Sequence, residues 1–201
     1  MRSHILPYLG NMLILSGITF LIVLVPPSGG KTSGQGLSLS LKVPNMNISQ
    51  GEIFHVDLCL DNPNHIAFDS LYVWLKYNHT ALKVLEIDYD PQDLFLKEIE
   101  AQQGDSKMPS PLPFIATNRV DSFRGEIDFR IEVIDCPVIV EGVFARLTLQ
   151  ATASSQKAGI SFQFNHRGQD PTTAILRNGQ NVLDLGSLRF HGTEGIVLSI
   201  Q

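Results

Sequence analysis

Residues that commonly perform catalysis occur in this chain without the spacing that catalysis needs. The sequence has no G-x-S-x-G, no H-E-x-x-H, no phosphate-binding glycine loop and no Cys-His pair at a usable spacing. Glu126, Asp128 and Glu132 alternate along one predicted strand, so they share a face, as an acid/base pair would. A solvated strand face produces the same alternation. We therefore expect a protein that is not an enzyme.

Metal-binding patterns are also weak. Acidic residues gather in residues 57–61 and 88–93, and closely spaced oxygen ligands suit calcium. Neither group matches the D-x-[DN]-x-[DN]-G loop, and the turns before Pro63 and Pro91 favour Asn and Asp for backbone reasons. We expect no metal ion and no cofactor.

The cysteines and the net charge restrict which other functions the protein can have. Cys59 and Cys136 lack the spacing of a zinc knuckle or a redox pair, so either one disulfide or two separate thiols fits them. The 201 residues carry a formal net charge of -5, which provides no basic surface for a phosphate backbone. Nucleic acid is therefore not an expected partner.

The N-terminus has the composition of an export signal. Residues 12–25 are almost continuously apolar and follow Arg2, so the positive-inside tendency places the rest of the chain outside the cytoplasm. The apolar run ends at two prolines rather than at a usual cleavage site, which favours a membrane anchor slightly over a cleaved signal peptide. We assign residues 1–27 to a signal peptide or anchor with a hydrophobic helix, 28–36 to a Gly/Ser-rich linker and 37–201 to one domain.

From Leu37 onward, apolar and polar residues alternate in short runs, which predicts β-strands. The runs are separated by Gly, Pro, Asn and Asp, so we predict an all-β fold, an antiparallel β-sandwich. Residues 90–113 interrupt the alternation, and we predict an excursion loop there with one helical turn packed on the sandwich. The predicted core consists of Phe54, Val56, Leu58, Val73, Leu75, Leu82, Val84, Phe129, Ile131, Leu147 and Leu149.

One predicted strand presents large side chains to solvent. Its apolar positions face the core, and its outward positions are Ser70, Tyr72, Trp74 and Lys76. Tyr and Trp are enriched at binding hot spots, so this face is a candidate binding surface. A strand shifted by one residue would instead turn these four side chains inward and bury the ammonium group of Lys76.

Several segments from Leu37 onward carry a recognisable family pattern. LSLKVPNMNISQGEIFHVDLCL at residues 39–60 contains a strand, a turn and the pattern G-E-x-F-x-V-x-L, and from this opening onward the sequence resembles the cohesin modules of bacterial surface assemblies. LYVWLKYNHTALKV at residues 71–84 resembles the family's strand that ends in tyrosine, with Asn-His where the family usually has Asp-Pro. DPQDLF at 90–95 resembles the family's P-G-D-L-F element, and GVFARLTL at 142–149 resembles its late strand. Related sandwiches, such as family 3 carbohydrate-binding modules, share part of this pattern.

The resemblance implies a nine-stranded jelly-roll sandwich that holds a dockerin module of a partner protein. In cohesins the partner lies across one sheet face, and the outward residues of the tyrosine-ending strand contribute to it; here these are Ser70, Tyr72, Trp74 and Lys76. The leading hypothesis is an extracytoplasmic module, secreted or membrane-anchored, that tethers a dockerin-bearing partner in an assembly of the kind that degrades polysaccharides. Two alternatives stay open: direct polysaccharide binding by the exposed aromatic residues, and a structural subunit of an envelope complex.

Overall fold

The computed structural model describes residues 36–103, 114–134, 137–164, 172–184 and 195–201. The chain divides into two units, residues 1–32 and 33–201, and every described residue lies in the second. The predicted export segment at residues 1–27, nearly all of the predicted linker and Cys136 fall outside the described residues. Within the described ranges, no helix has both the length and the apolar character needed to cross a bilayer.

The described residues are mainly short β-strands, which confirms the predicted all-β class. The strands are β1 (Ser38–Lys42), β2 (Asn47–Ile48), β3 (Ile53–Asp61), β4 (Ser70–Tyr77), β5 (Leu82–Tyr89), β6 (Phe114–Asp121), β7 (Glu126–Val133), β8 (Gly142–Ala151), β9 (Ser155–Phe162), β10 (Ala174–Arg177), β11 (Gln180–Asn181) and β12 (Gly195–Ile200). One helix, α1 (Leu94–Gln103), follows β5.

The strands form two sheets. The first has the order β1-β3-β8-β5 and is antiparallel throughout. The second is centred on β4, which pairs with β7 along one edge and, along the other, with β10 near its start and β9 near its end. This sheet continues through β6 beside β7, β11 beside β10, and β12 and then β2 beside β9. The strands outnumber the nine of the predicted jelly roll because β2 and β11 are separate two-residue segments and because β9 and β10 share one edge of β4.

The core lies between the inner faces of the two sheets. Phe129 of β7 and Phe144 of β8 bring their ring centroids to 6.2 Å from each other, which joins the sheets. The predicted core positions are buried except for Val84, which is only half-buried. The register between β5 and β8 shifts between Val84 and Glu86, and this irregularity breaks the strict alternation on which the prediction depended.

A second register shift occurs in β3 and changes the environment of Cys59. The pairing of β3 with β8 shifts between Leu58 and Cys59, and Leu58, Cys59 and Leu60 are all buried. Cys59 is a buried thiol, and burial raises its pKa above the ordinary value. Because Cys136 lies outside the described residues, the bridge between the two cysteines stays a prediction.

The segment after β5 contains more helix than predicted. Helix α1 spans ten residues, whereas the sequence suggested a single turn. Phe95 and Ile99 are buried, and the Phe95 ring meets that of Phe68 edge-on at 6.0 Å between centroids. The buried carboxylate of Asp90 accepts hydrogen bonds from the backbone N–H groups of Phe95 at 3.2 Å and Leu96 at 3.1 Å. It thereby satisfies two donors of the first turn, which allows the helix to begin against the sandwich.

Candidate functional site

The four sequence-predicted site residues lie together on the outer face of the second sheet. Burial alternates along β4: Leu71, Val73, Leu75 and Tyr77 are buried, whereas Ser70, Tyr72, Trp74 and Lys76 are half-buried or exposed. The strand therefore has the predicted orientation rather than the one shifted by a residue. Trp74 is not part of the core between the sheets, so its side chain is available at the surface.

Strand pairing places charged side chains beside these residues. In the register of the sheet, Trp74 lies opposite Asp128 of β7, and Asp128 lies opposite Arg119 of β6. Tyr72 is paired in the same way with Arg130. We name this surface the aromatic face; it consists of Ser70, Tyr72, Trp74, Lys76, Thr117, Arg119, Asp121, Glu126, Asp128, Arg130 and Glu132.

The side chain of Tyr72 is held in place from two sides. Its hydroxyl donates a hydrogen bond of 2.8 Å to Glu132 Oε1, and the guanidinium of Arg130 lies over its ring at 5.1 Å from the centroid. Burial raises the pKa of the Tyr72 phenol above its ordinary value, and the bond to Glu132 raises it further. The phenol therefore stays protonated, and one face of its ring is already occupied by a cation.

Trp74 borders a shallow depression in the aromatic face. The depression has a volume of about 270 Å³, and its other lining residues are Arg119, Asp121, Arg124, Glu126, Asp128 and Arg130. An indole flanked by charged groups offers apolar contact area with polar groups at its border. This combination is typical of protein-binding surfaces, in which an apolar centre is surrounded by a polar rim.

Ion pairs fix the charged side chains around the two aromatic residues. Arg130 Nε and Nη2 donate to the two oxygens of Asp128 at 3.0 and 3.1 Å. Lys76 Nζ lies 3.1 Å from Glu126 Oε1 and also donates a 2.6 Å hydrogen bond to the backbone carbonyl of Arg124. Such exposed pairs add at most about 1 kcal/mol each to stability, so their main effect here is to hold the side chains in position.

The turn between β6 and β7 contains an apolar residue that sequence reasoning missed. Phe123 is 89% exposed, the highest value among the large hydrophobic residues described. Asp121 Oδ1 accepts hydrogen bonds from the N–H groups of Phe123 at 3.1 Å and Arg124 at 3.0 Å, so the turn is locally fixed. Gly125 adopts a φ of 66°, and a Cβ there would collide with the carbonyl oxygen of Tyr77. An apolar residue in the middle of a Gly-containing turn was the available sequence signal.

Two of the acidic residues considered as calcium ligands, Asp57 and Asp90, have other roles. Both oxygens of Asp57 accept hydrogen bonds from Arg146, at 2.7 and 3.1 Å, and Asp90 caps α1. No group of three or more His, Cys, Asp or Glu side chains in the described ranges has a geometry that could hold a metal ion. The carboxylates of β7, which sequence reasoning treated as a solvated face, belong to the aromatic face and are paired there with cations or with Tyr72.

No protein-family model matches the sequence, and no curated protein matches it. Similarity is found instead among solved structures. A cohesin module from a family 33 glycoside hydrolase of Clostridium perfringens aligns with a TM-score of 0.54 and 14% identity, covering 83% of this chain and 97% of that module. The cohesin CaCohA2 of Clostridium acetobutylicum aligns with a TM-score of 0.53 and 12% identity, covering 83% of this chain and 91% of that one.

A third similar structure contains a bound partner. The cohesin of a type I cohesin–dockerin complex from Clostridium thermocellum, OlpA with Doc918, aligns with a TM-score of 0.50 and 15% identity, covering 83% of this chain and 99% of that one. At identities this low the likeness concerns the fold. The chain therefore has the fold of cohesin modules, as the sequence pattern predicted.

Proposed function

We propose that this chain is a non-catalytic module that holds a dockerin module of a partner protein against its aromatic face. The observation that carries the proposal is the outward pair Tyr72 and Trp74 on β4, surrounded by fixed charges, on a cohesin fold. A similar cohesin, that of the OlpA–Doc918 complex, is bound to a dockerin. Trp, Tyr and Arg are the residues that dominate the energetics of protein interfaces.

The surroundings of Tyr72 favour a protein partner over a polysaccharide. Sugar rings stack on exposed aromatic faces, whereas the guanidinium of Arg130 lies 5.1 Å from the centre of the Tyr72 ring. The adjacent positions carry Glu132, Asp128 and Lys76 rather than further aromatic side chains. An aromatic centre with a charged border is what a protein interface requires.

We also propose that the module acts outside the cytoplasm, in a polysaccharide-degrading or surface-attached assembly. This location depends on the apolar run at residues 12–25, which the sequence assigns to a signal peptide or membrane anchor. A C-terminal fusion to alkaline phosphatase, which is active only after export, tests the location. An inactive, intact fusion protein would contradict it. Mass spectrometry of the mature N-terminus then separates a cleaved signal from an anchor.

Binding measurements test the function directly. Full-length protein in mild detergent is immobilised and exposed to a panel of purified type I and type II dockerin modules in surface plasmon resonance, with cellulose co-sedimentation in parallel. We expect saturable binding to a dockerin and no retention on cellulose. Retention on cellulose with no response to any dockerin would refute the proposal and support the polysaccharide alternative.

A further inference from the structure

One cation of the aromatic face is left without a carboxylate. Arg119 on β6 is exposed and lines the depression beside Trp74. Its partner in the sheet register is Asp128, but both oxygens of Asp128 accept hydrogen bonds from Arg130, at 3.0 and 3.1 Å. Among the residues that the structure describes, Arg119 has neither an ion pair nor a hydrogen bond from its side chain.

The other cations nearby differ from Arg119 in this respect. Lys76 is paired with Glu126 at 3.1 Å. Arg124 approaches Asp121 at 3.9 Å across the turn between β6 and β7. Lys76, Arg124 and Arg130 thus each lie beside a carboxylate. Among the described residues that line the depression, Arg119 is the cation without such a partner.

We propose that Arg119 selects a partner that places an Asp or Glu side chain in this depression, beside Trp74. The inference rests on the proposed function, since it names the chemistry of the dockerin surface that the aromatic face accepts. A guanidinium binds a carboxylate through two parallel hydrogen bonds, so the selection is geometric as well as electrostatic.

Desolvation supplies the discrimination between partners. When a partner covers Trp74, water leaves the depression and the Arg119 charge loses hydration. A carboxylate on the partner replaces that hydration, whereas a neutral or basic residue leaves the charge uncompensated, which is unfavourable. Arg119 is therefore a specificity-determining residue, while Tyr72 and Trp74 supply contact area that tolerates many partners.

The first experiment compares variants against a dockerin that binds the full-length protein. We expect Arg119→Gln to lower affinity about thirtyfold or more and Arg119→Glu to lower it further, as truncation of a desolvated ion pair does. Lys83→Gln is the matched control, because Lys83 is exposed on β5 of the other sheet and its loss changes the net charge equally. We expect its affinity to equal that of the unchanged protein.

A charge exchange between the two proteins completes the comparison of Arg119 variants. Each Asp and Glu of the dockerin is replaced in turn by Lys, and one of these changes is expected to restore binding to the Arg119→Glu variant. If Arg119→Gln binds as tightly as Lys83→Gln, or if no exchange restores binding to Arg119→Glu, the inference is wrong although the proposed function stands.

A second experiment decides the inference if no dockerin binds. The ¹⁵Nε–H signal of Arg119 is followed by NMR during titration with acetyl-glutamate amide and, separately, with acetyl-glutamine amide. We expect a saturable shift with the acidic compound alone, and none in the Arg124 signal beyond a general salt effect. If no dockerin binds but the Arg119 signal shifts with the acidic compound alone, the acid-selecting site stands although the dockerin proposal fails. If the Arg119 signal responds equally to both compounds, the inference about Arg119 is wrong as well.

Discussion

The hydroxyl of Thr173 replaces a neighbouring strand at Trp74: it accepts a hydrogen bond from the Trp74 N–H and donates one to the Trp74 carbonyl, both at 3.0 Å. Along this edge of β4, β10 pairs as far as Tyr72 and β9 begins to pair at Leu75, so Trp74 lies between them. The N–H of Gln163 adds a second bond to the Trp74 carbonyl at 2.8 Å. On this edge the Trp74 N–H depends on the Thr173 hydroxyl, whereas the Trp74 carbonyl also bonds the Gln163 N–H. A buried threonine therefore supports the backbone of the central aromatic residue.

Replacing Thr173 by Val should therefore destabilise the fold. Thr173 is 2% exposed, and Val has nearly the same shape but leaves the Trp74 N–H without its partner. An unsatisfied buried donor costs about 1–3 kcal/mol, so we expect the free energy of unfolding in urea to fall by that amount. Thr173→Ser keeps the hydroxyl and is expected to lose less. Equal stability of the Val variant and the unchanged protein would show that these two bonds do not support β4.

Replacing Trp74 by Ala should affect binding more than folding. Because the indole is half-buried on the outer face, its loss leaves no cavity between the sheets. We expect the affinity for a dockerin to fall by about 2 kcal/mol or more if the residue is a hot spot. Surface plasmon resonance measures the affinity, and circular dichroism checks the fold. A folded variant with unchanged affinity would place the binding surface elsewhere, and an unfolded one would mean that Trp74 is structural.

Phe123 should contribute to binding without contributing to stability. Its side chain is 89% exposed, so Phe123→Ser is expected to change the free energy of unfolding by less than about 0.5 kcal/mol. Phe123 lies in the turn between Asp121 and Arg124, which both line the depression. An exposed aromatic residue there fits a hydrophobic pocket on a partner, and we expect its removal to lower dockerin affinity by about 1 kcal/mol or more. Ile53→Ser is the control, since Ile53 is 56% exposed on β3 of the other sheet. If both variants bind equally well, the turn lies outside the interface.

The strand pattern made β4 predictable, because alternation fixes which side chains face the core. The same reasoning placed Leu71, Val73 and Leu75 inside and Tyr72 and Trp74 outside. It was less accurate at Val84, where a register shift interrupts the alternation. A bulge adds one residue to one strand, and short polar and apolar runs contain no signal for where this happens.

The remainder of the site depends on contacts between residues distant in sequence. Arg119 and Asp128 become neighbours of Trp74 only through the pairing of β6, β7 and β4, which local patterns do not specify. The length of α1 was underestimated for a similar reason. Its first turn is capped by Asp90, whose side chain reaches N–H groups five and six residues later.

Asp90 should make stability depend on pH in a direction opposite to that of most carboxylates. Burial raises its pKa above the ordinary value of 3.8, and this outweighs the lowering by hydrogen bonds from the N–H groups of Leu96, Phe95 and Leu94. Because the folded-state pKa is the higher one, the native protein binds the proton more tightly than the unfolded chain does. The resulting stabilisation is fully present below pH 3.8 and is lost as the pH rises through the folded-state pKa.

The variant Asp90→Asn removes this titration. It also fits the local backbone conformation, since Asp90 has a φ of 50° that Asn also tolerates. We therefore expect the difference in unfolding free energy, unchanged protein minus variant, to increase as the pH is lowered from 7 toward 3.8, by about 1.4 kcal/mol for each unit of pKa elevation. Urea unfolding at a series of pH values measures it, with other titrating groups cancelling in the difference. A difference that decreases on acidification would mean that the backbone hydrogen bonds outweigh burial and that Asp90 caps α1 as a stabilising anion.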